Sequence, residues 1–289
     1  MVNGAALITC HNRKMLTLRC LKGIYSQINA IPDCRLAIYL VDDGSTDGTL
    51  DAVKQLYPEV ITLTGNGQLY WNGGMQIAWQ KALSDTDYDF FLWINDDINL
   101  SNDAIPRLIE CYCDLSTRSK DIGAITGTMV DPISKQPTYG GRNPTNKLNP
   151  LKLGDVIPPQ NQIQPCTIIN GNLSLITNTA VKTIGTLSNI YTHGLGDFDY
   201  SFRLRQAGLK VWIAPGIFGE CPHNSPKGTW RDASLPVKTR LSLLKRPNQI
   251  APEKEFLTFV RLHGGKFWFL LWFKIWLQWR LPILWLISR

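Results

Sequence analysis

The feature that most restricts this chain is a set of short runs that are apolar throughout: "GAALITC", "LAIYLV", "VITLT" and "FFLWI". A strand with one wet face alternates polar and apolar residues, and these do not, so each is expected to be buried on both faces. Between them lie segments with apolar residues at helical spacing. Residues 16–25 place Leu18, Leu21 and Tyr25 together, "LDAVKQLY" follows the second run, and a third segment puts Met75, Ala78, Trp79, Ala82 and Leu83 on one face. Buried strands alternating with amphipathic helices predict an α/β fold with a Rossmann-like, mostly parallel sheet flanked by helices. With 289 residues, 44% of them hydrophobic, the chain can bury one large domain or a domain with an appendage.

In open sheets of this kind, ligands sit outside the carboxyl ends of the strands. Three polar clusters stand there: "CHNR" after the first strand, "DDGS" after the second and "NDD" after the fourth. In the second cluster Asp47 is a candidate N-cap for the next helix. In the third, Asp96 and Asp97 are adjacent, and neighbouring carboxylates repel unless a cation neutralises them. A hard divalent ion, Mg2+ or Mn2+, does this well while substrate phosphates complete its shell. The plainer alternative is helix capping, for which Asn102 and Asp103 are better placed.

Further along, residues 131–165 are rich in Pro, Asn, Gly and Gln and read as an excursion with little regular structure. "CTIINGNLSLIT" reads as a hairpin pair followed by a short helix. "GDFDYSFRLRQAG" reads as a helix starting near Asp197 and closed by Gly208, with "LKVWIAPG" as the next strand. The seven cysteines show no C-x2-C pair and are odd in number, so reduced thiols are expected. The first ten residues have neither a basic start nor a long apolar stretch, so no secretion signal is expected. The net charge is +7, with the excess concentrated in residues 227–289 and the remainder near neutral. That argues against nucleic-acid binding by the folded domain, which would need basic residues along one face.

Taken together, "ALITCHNR", "VDDGSTDGT", "GNGQLYWNGGM", "WINDDINL" and "GDFDYSFRLRQAG" occur in the order and spacing of the family 2 glycosyltransferases. The resemblance covers residues 5–223 and extends to rhamnosyltransferase-like members of bacterial surface-polysaccharide synthesis. It implies the GT-A fold and a nucleotide-diphosphate sugar donor, UDP- or dTDP-linked. It also implies that Asp42 and Asp43 contact base and ribose, with Thr9, His11, Asn12 and Arg13 lining the same pocket. Asn95 and Asp97 stand where the family has Asp-x-Asp, so the resemblance makes Asp97 a metal ligand and Asp96 a ribose or diphosphate contact. Asn95 is the departure, a neutral oxygen in place of a carboxylate. Trp71, Asn72 and Gly73 would approach the donor.

In "GDFDYSFR" the family usually has Glu-Asp-x-Asp, so Gly196 replaces the glutamate and Asp197 matches the catalytic base. Spacing supports the same choice. Asp197 and Asp199 point nearly opposite ways on a helix, and Asp199 can pair with Arg203 at i,i+4, which frees Asp197 for the crevice. The competing reading makes both carboxylates solvated first-turn residues favoured by the helix dipole. A histidine after the following strand completes the metal shell in many members. His223 is the candidate, with Glu220 and Cys221 as competitors and His193 as a weaker acceptor-side or structural choice.

The implied reaction is metal-dependent, inverting transfer of a hexosyl or deoxyhexosyl group to a glycan or lipid-linked glycan acceptor. The alternatives are a sugar nucleotidyltransferase, for which the usual glycine-rich N-terminal phosphate loop is missing, and a non-catalytic nucleotide-sugar-binding protein. The expected organisation is a catalytic domain over 1–225, its nucleotide-binding half about 1–100 and its acceptor-binding half about 101–225. A helical aromatic and basic extension over 226–289 would follow. That extension carries Trp230, Trp268, Trp272, Trp276, Trp279 and Trp285. Residues 267–287 are nominally long enough to span a bilayer, but Lys274, Gln278 and Arg280 interrupt them and Pro282 breaks them. An in-plane helix on a membrane surface is therefore expected, with a core helix or homo-oligomer contact as the other reading, and the resemblance implies that this surface is the cytoplasmic face of the inner membrane.

Overall fold

The computed structural model describes residues 2–28 and 33–287; residues 288 and 289 of the expected extension lie outside them. The chain begins with β1 (Val2–Cys10), α1 (Lys14–Ile28), β2 (Cys34–Asp42), α2 (Thr49–Leu56), β3 (Ile61–Thr64), α3 (Tyr70–Asp85) and β4 (Phe90–Ile94). β5 (Asn99–Leu100), α4 (Ala104–Arg118), β6 (Ile122–Val130), β7 (Pro137–Tyr139) and β8 (Gln164–Cys166) follow. Next come β9 (Leu173–Thr177), α5 (Asn178–Ile184), α6 (Gly196–Gln206) and β10 (Lys210–Glu220). The chain closes with α7 (Val237–Leu243), α8 (Glu253–His263), α9 (Trp268–Arg280) and α10 (Ile283–Ile287).

One sheet runs β3-β2-β1-β4-β9-β6-β10-β5, with β7 beside β6 and β8 beside β10. The β1–β2, β1–β4, β2–β3 and β6–β10 pairs are parallel. β9 lies antiparallel between β4 and β6. The expected hairpin therefore does not form: β8 pairs β10, and β9 goes to the middle of the sheet. Burial explains the choice. All five residues of "LSLIT" are buried, which a central strand permits and a surface hairpin does not.

Side chains alternate along the strands, so each face of the sheet builds its own core. Ala6 and Ile8 of β1 pack with Leu21 and Ile24 of α1 and Leu108 of α4. Ala5 and Leu7 pack with Met75 and Trp79 of α3 and Tyr200 of α6. Leu83, expected on the packed face of α3, is instead 42% exposed. α3 begins ahead of that apolar face, and the "WNGG" residues form its first turns.

The excursion contributes β7, β8 and two isolated bridges, Arg142 to Ile168 and Pro144 to Leu153. In the C-terminal part, Trp230, Leu243, Leu244 and Trp285 form a separate buried cluster. Those two tryptophans are core residues, whereas Phe269, Leu270 and Phe273 on α9 are exposed. All seven cysteines are free thiols.

Candidate active site at the strand ends

A cavity of about 530 Å3 opens where β1, β2 and β4 end and β9 begins. Of the residues singled out in the sequence, Thr9, His11, Arg13, Asp43, Trp71, Asn95, Asp96, Asp97 and Asp197 line it. Asn12, Asp42, Asn72, Gly73 and His223 do not.

Residues behind the wall, together with Asp43 on it, hold the surrounding loops by hydrogen bonds. Asp42 is 1% exposed, and its Oδ1 accepts the Ser45 N–H at 2.7 Å, closing the turn after β2. Asn12, at φ 51°, accepts the Thr46 N–H at 2.8 Å and so ties the β1 loop to the same turn. Asp47 accepts the Lys14 N–H at 2.9 Å and the Thr49 N–H at 3.0 Å, satisfying the starts of α1 and α2 with one carboxylate. Asp43 accepts the N–H groups of Gly67, Leu69 and Tyr70 at 2.8, 2.9 and 3.0 Å. Its charge is thereby spent on shaping the loop before α3.

Asn72 is fully buried, and its amide donates to the carbonyls of Ser188 and Tyr191 at 2.9 and 2.6 Å. It also accounts for Gly196, since a Cβ at that position would stand 2.0 Å from Asn72 Oδ1. The larger side chain expected there has been displaced by an amide that holds α3 to the turn before α6. Gly171 has a comparable reason, because a Cβ there would lie 2.2 Å from the Trp71 ring.

The acidic pair after β4 is neutralised from within the protein. Arg13 Nη1 lies 3.2 Å from Asp96 Oδ1 and 2.9 Å from Asp97 Oδ2. Asp96 is buried, its Oδ2 accepts from the Thr17 hydroxyl at 3.1 Å, and its pKa is raised to about 6. Burial drives that rise, with repulsion from Asp97 adding and Arg13 opposing. Asp97 keeps one oxygen, Oδ1, buried and without a partner. Asn95 Oδ1 accepts the Trp71 indole N–H at 2.8 Å, so the neutral residue at this position anchors the aromatic wall.

Asp197 lies at the first turn of α6, partly buried. Its Oδ2 accepts the Gly171 N–H at 3.2 Å and its Oδ1 the Phe198 N–H at 2.9 Å. Burial raises its pKa to about 6, and these hydrogen bonds only partly oppose the rise. Asp199 is 2% exposed and points the other way, as its spacing predicts. It meets Arg203 Nε at 2.8 Å, the Tyr191 hydroxyl at 3.1 Å and His263 Nε2 at 2.8 Å.

The remaining wall comes from residues that the sequence reading passed over. Asn170, Gly171 and Asn172 precede β9, Tyr70 begins α3 at φ 53°, Tyr139 ends β7, and Asn224 and Asn248 come from the C-terminal stretch. His193 also lines the cavity, with its pKa lowered by burial and by nearby Arg13 and its Nδ1 unpartnered.

A divalent cation fits only part of this donor set. Asp97 offers its unused oxygen, but Asp96 is engaged by Arg13 and Thr17. His223 is exposed beside Tyr139, with ring centroids 5.7 Å apart. Among the described residues no three His, Cys, Asp or Glu side chains come together as a metal-binding group. Mg2+ is commonly held by one or two carboxylates together with substrate phosphate oxygens, and Asp97, with its buried Oδ1 unclaimed, is the member of this acidic pair with an oxygen to spare.

Residues 5–119 match the model of glycosyl transferase family 2. Two curated sequences from strains of Mycobacterium tuberculosis, each described as N-acetylglucosaminyl-diphospho-decaprenol L-rhamnosyltransferase, are 24% identical over 217 residues. The match covers 68% of this chain and 69% of theirs. Among solved structures, a mannosyltransferase from Pyrobaculum calidifontis in complex with GDP-Man and Mn2+ has a TM-score of 0.55 at 15% identity. That likeness covers 89% of this chain and 64% of the other. GalNAc-T7 with UDP, GalNAc and Mn2+ has a TM-score of 0.57 at 14% identity, covering 78% and 46%. This chain thus spans less than two thirds of the length of either solved structure. With its motifs in order along the strand ends, the chain is similar over residues 5–119 to glycosyl transferase family 2, and its fold is like that of the solved GT-A glycosyltransferases.

Proposed function

We propose that the cavity binds a nucleotide-diphosphate sugar, UDP- or dTDP-linked, and transfers the sugar with inversion to a hydroxyl of a glycan or lipid-linked glycan in surface polysaccharide synthesis. The observation that carries this reading is Asp197, a carboxylate at the cavity wall with backbone N–H partners and a pKa raised to about 6. A carboxylate poised near neutrality is suited to general-base work. Asp197 takes the proton from the acceptor hydroxyl as that oxygen attacks the anomeric carbon. The new carbon–oxygen bond forms on the face opposite the departing nucleoside diphosphate, so one displacement inverts the centre without a covalent intermediate. Held through Asp97, a divalent cation, Mg2+ or Mn2+, would supply charge neutralisation for the leaving diphosphate. Arg13 keeps Asp96 and Asp97 in place, and Trp71, fixed by Asn95, stands as an apolar wall.

The acceptor class draws support from the relative whose name carries a decaprenol diphosphate. No helix among the described residues is long and apolar enough to cross a membrane. The exposed Phe269, Leu270 and Phe273 of α9, with Lys266, Lys274 and Arg280 alongside, suit a helix lying on an anionic cytoplasmic membrane surface. Calorimetric titration with UDP-, dTDP- and GDP-sugars, with and without Mn2+, tests the reading. Metal-assisted binding of one of them is expected. Binding of none would overturn the reading, and binding without release of nucleoside diphosphate on any acceptor would favour a non-catalytic sugar-nucleotide binder.

A further inference from the structure

A second cavity, of about 500 Å3, lies behind α6 between α8, α9 and the 149–153 segment. Its wall is mostly apolar, built on Phe198, Phe259 and Leu271, and it carries two cationic residues, Lys152 and Lys274. Neither lysine makes a salt bridge among the described residues, and both are exposed. Asn149 also lines the cavity, and its Oδ1 is buried without a partner. Apolar walls that end in unpaired cations suit an amphiphile with a hydrocarbon tail and an anionic head.

The two cavities share one turn. Gly194 and Asp197 line the polar cavity, whereas Leu195 and Phe198 line the apolar one. Leu195 holds φ at 71°, an unusual conformation for a bulky residue, as α6 begins. Whatever fills the apolar cavity therefore sits against the same turn that carries Asp197. On its far side is α9, whose Leu271 and Lys274 face this cavity and whose Phe269, Leu270 and Phe273 are exposed.

Building on the transferase reading above, we propose that the apolar cavity is the acceptor's lipid subsite. It takes the hydrocarbon chain of a prenyl-type phosphate or diphosphate, whose anionic head meets Lys152 and Lys274. The sugar on that head then approaches Asp197 around the shared turn. The site is separate from the nucleotide cavity, so lipid and donor bind together.

The test is calorimetric titration of the full chain with farnesyl diphosphate while UDP, dTDP and GDP are all present in excess. Saturable binding is expected, with farnesol and inorganic pyrophosphate each at least tenfold weaker. Lys152→Gln with Lys274→Gln should weaken farnesyl diphosphate at least tenfold and leave nucleotide-sugar affinity within twofold. Leu271→Trp, which fills the cavity, should do the same to the tail. The proposal is overturned if wild type shows no binding, if nucleotides displace the lipid, or if the lysine variant binds it normally. Farnesol binding as tightly as the diphosphate would also overturn it, as would a concentration-dependent dimer that the lipid fails to dissociate. Lipid binding without any nucleotide-sugar binding would support this site while sinking the transferase reading. Nucleotide-sugar binding without lipid would do the reverse.

Discussion

The end of β4 and the start of α6 each carry two carboxylates, and the protein treats the pairs differently. At β4, Asp96 and Asp97 share one guanidinium, which leaves a single oxygen of Asp97 unclaimed. At α6, Asp199 receives Arg203, His263 and the Tyr191 hydroxyl, while Asp197 receives only N–H groups. Partners, more than charge, separate framework from chemistry. Asp199's pKa lies below its ordinary value: burial pushes it up, but the His263 hydrogen bond and Arg203 outweigh burial. Asp197's moves the other way, to about 6.

The largest effect expected from breaking this contrast falls on stability. Asp199→Ala strands Arg203 and His263 around a buried site, and removing one partner of a buried ion pair costs about 3–5 kcal/mol. Denaturant unfolding should register that loss. Because Asp199's folded pKa is depressed, its contribution is present above the unfolded value of about 4 and is lost as the pH falls through the folded pKa. Wild type should therefore lose stability on acidification in a window where the variant does not. A variant as stable as wild type at pH 7 would show that α8 is not fastened to α6 through this carboxylate.

At the other pair, Asp97→Ala should abolish the metal dependence of donor binding. Loss of a charged contact of about 1.5–3 kcal/mol corresponds to about ten- to hundredfold in affinity. Titrating the donor with and without Mn2+ measures this directly. An unchanged metal response would move the cation to other ligands and leave Asp97 as Arg13's partner only. A smaller effect is expected at Gly196→Ala, where the new Cβ meets Asn72 Oδ1. Overpacking of this kind costs about 1–3 kcal/mol, to be read as a lowered unfolding midpoint. A variant that unfolds like wild type would show that the turn before α6 yields easily.

Much of this site was legible in the sequence for a simple reason: apolar runs that stop abruptly at polar clusters mark strand ends, and three of those ends meet. The Asp199–Arg203 pair was legible from helical spacing alone. The contribution of β9 was hidden because that strand runs antiparallel, so the residues before it, Asn170 to Asn172, reach the cavity. "LSLIT" looks the same in either direction. His263 was hidden for another reason, since it joins Asp199 across 64 residues of sequence. Asp42, Asp43 and Asn72 were expected at the donor by resemblance, and the structure uses their side chains to accept or donate backbone hydrogen bonds, Asp43 while also lining the cavity. Composition cannot tell a carboxylate that holds a loop from one that faces a ligand. In the C-terminal part, Trp230 and Trp285 pack on each other while Phe269 and Phe273 face outward, a division that aromatic content alone does not reveal.

The claim at the centre of this account is that Asp197 accepts the acceptor's proton, and Asp197→Asn tests it most directly. Donor affinity by calorimetry and turnover by release of nucleoside diphosphate should be measured on the same preparation across pH 5 to 8. Wild-type turnover should rise through an apparent pKa near 6, falling about tenfold per unit below it. In Asp197→Asn, donor binding should stay within a few-fold of wild type, turnover should drop by about a hundredfold or more, and the rise near pH 6 should vanish. Near-normal turnover in Asp197→Asn, with the rise near pH 6 intact, would contradict the account and place the proton acceptor elsewhere in the cavity.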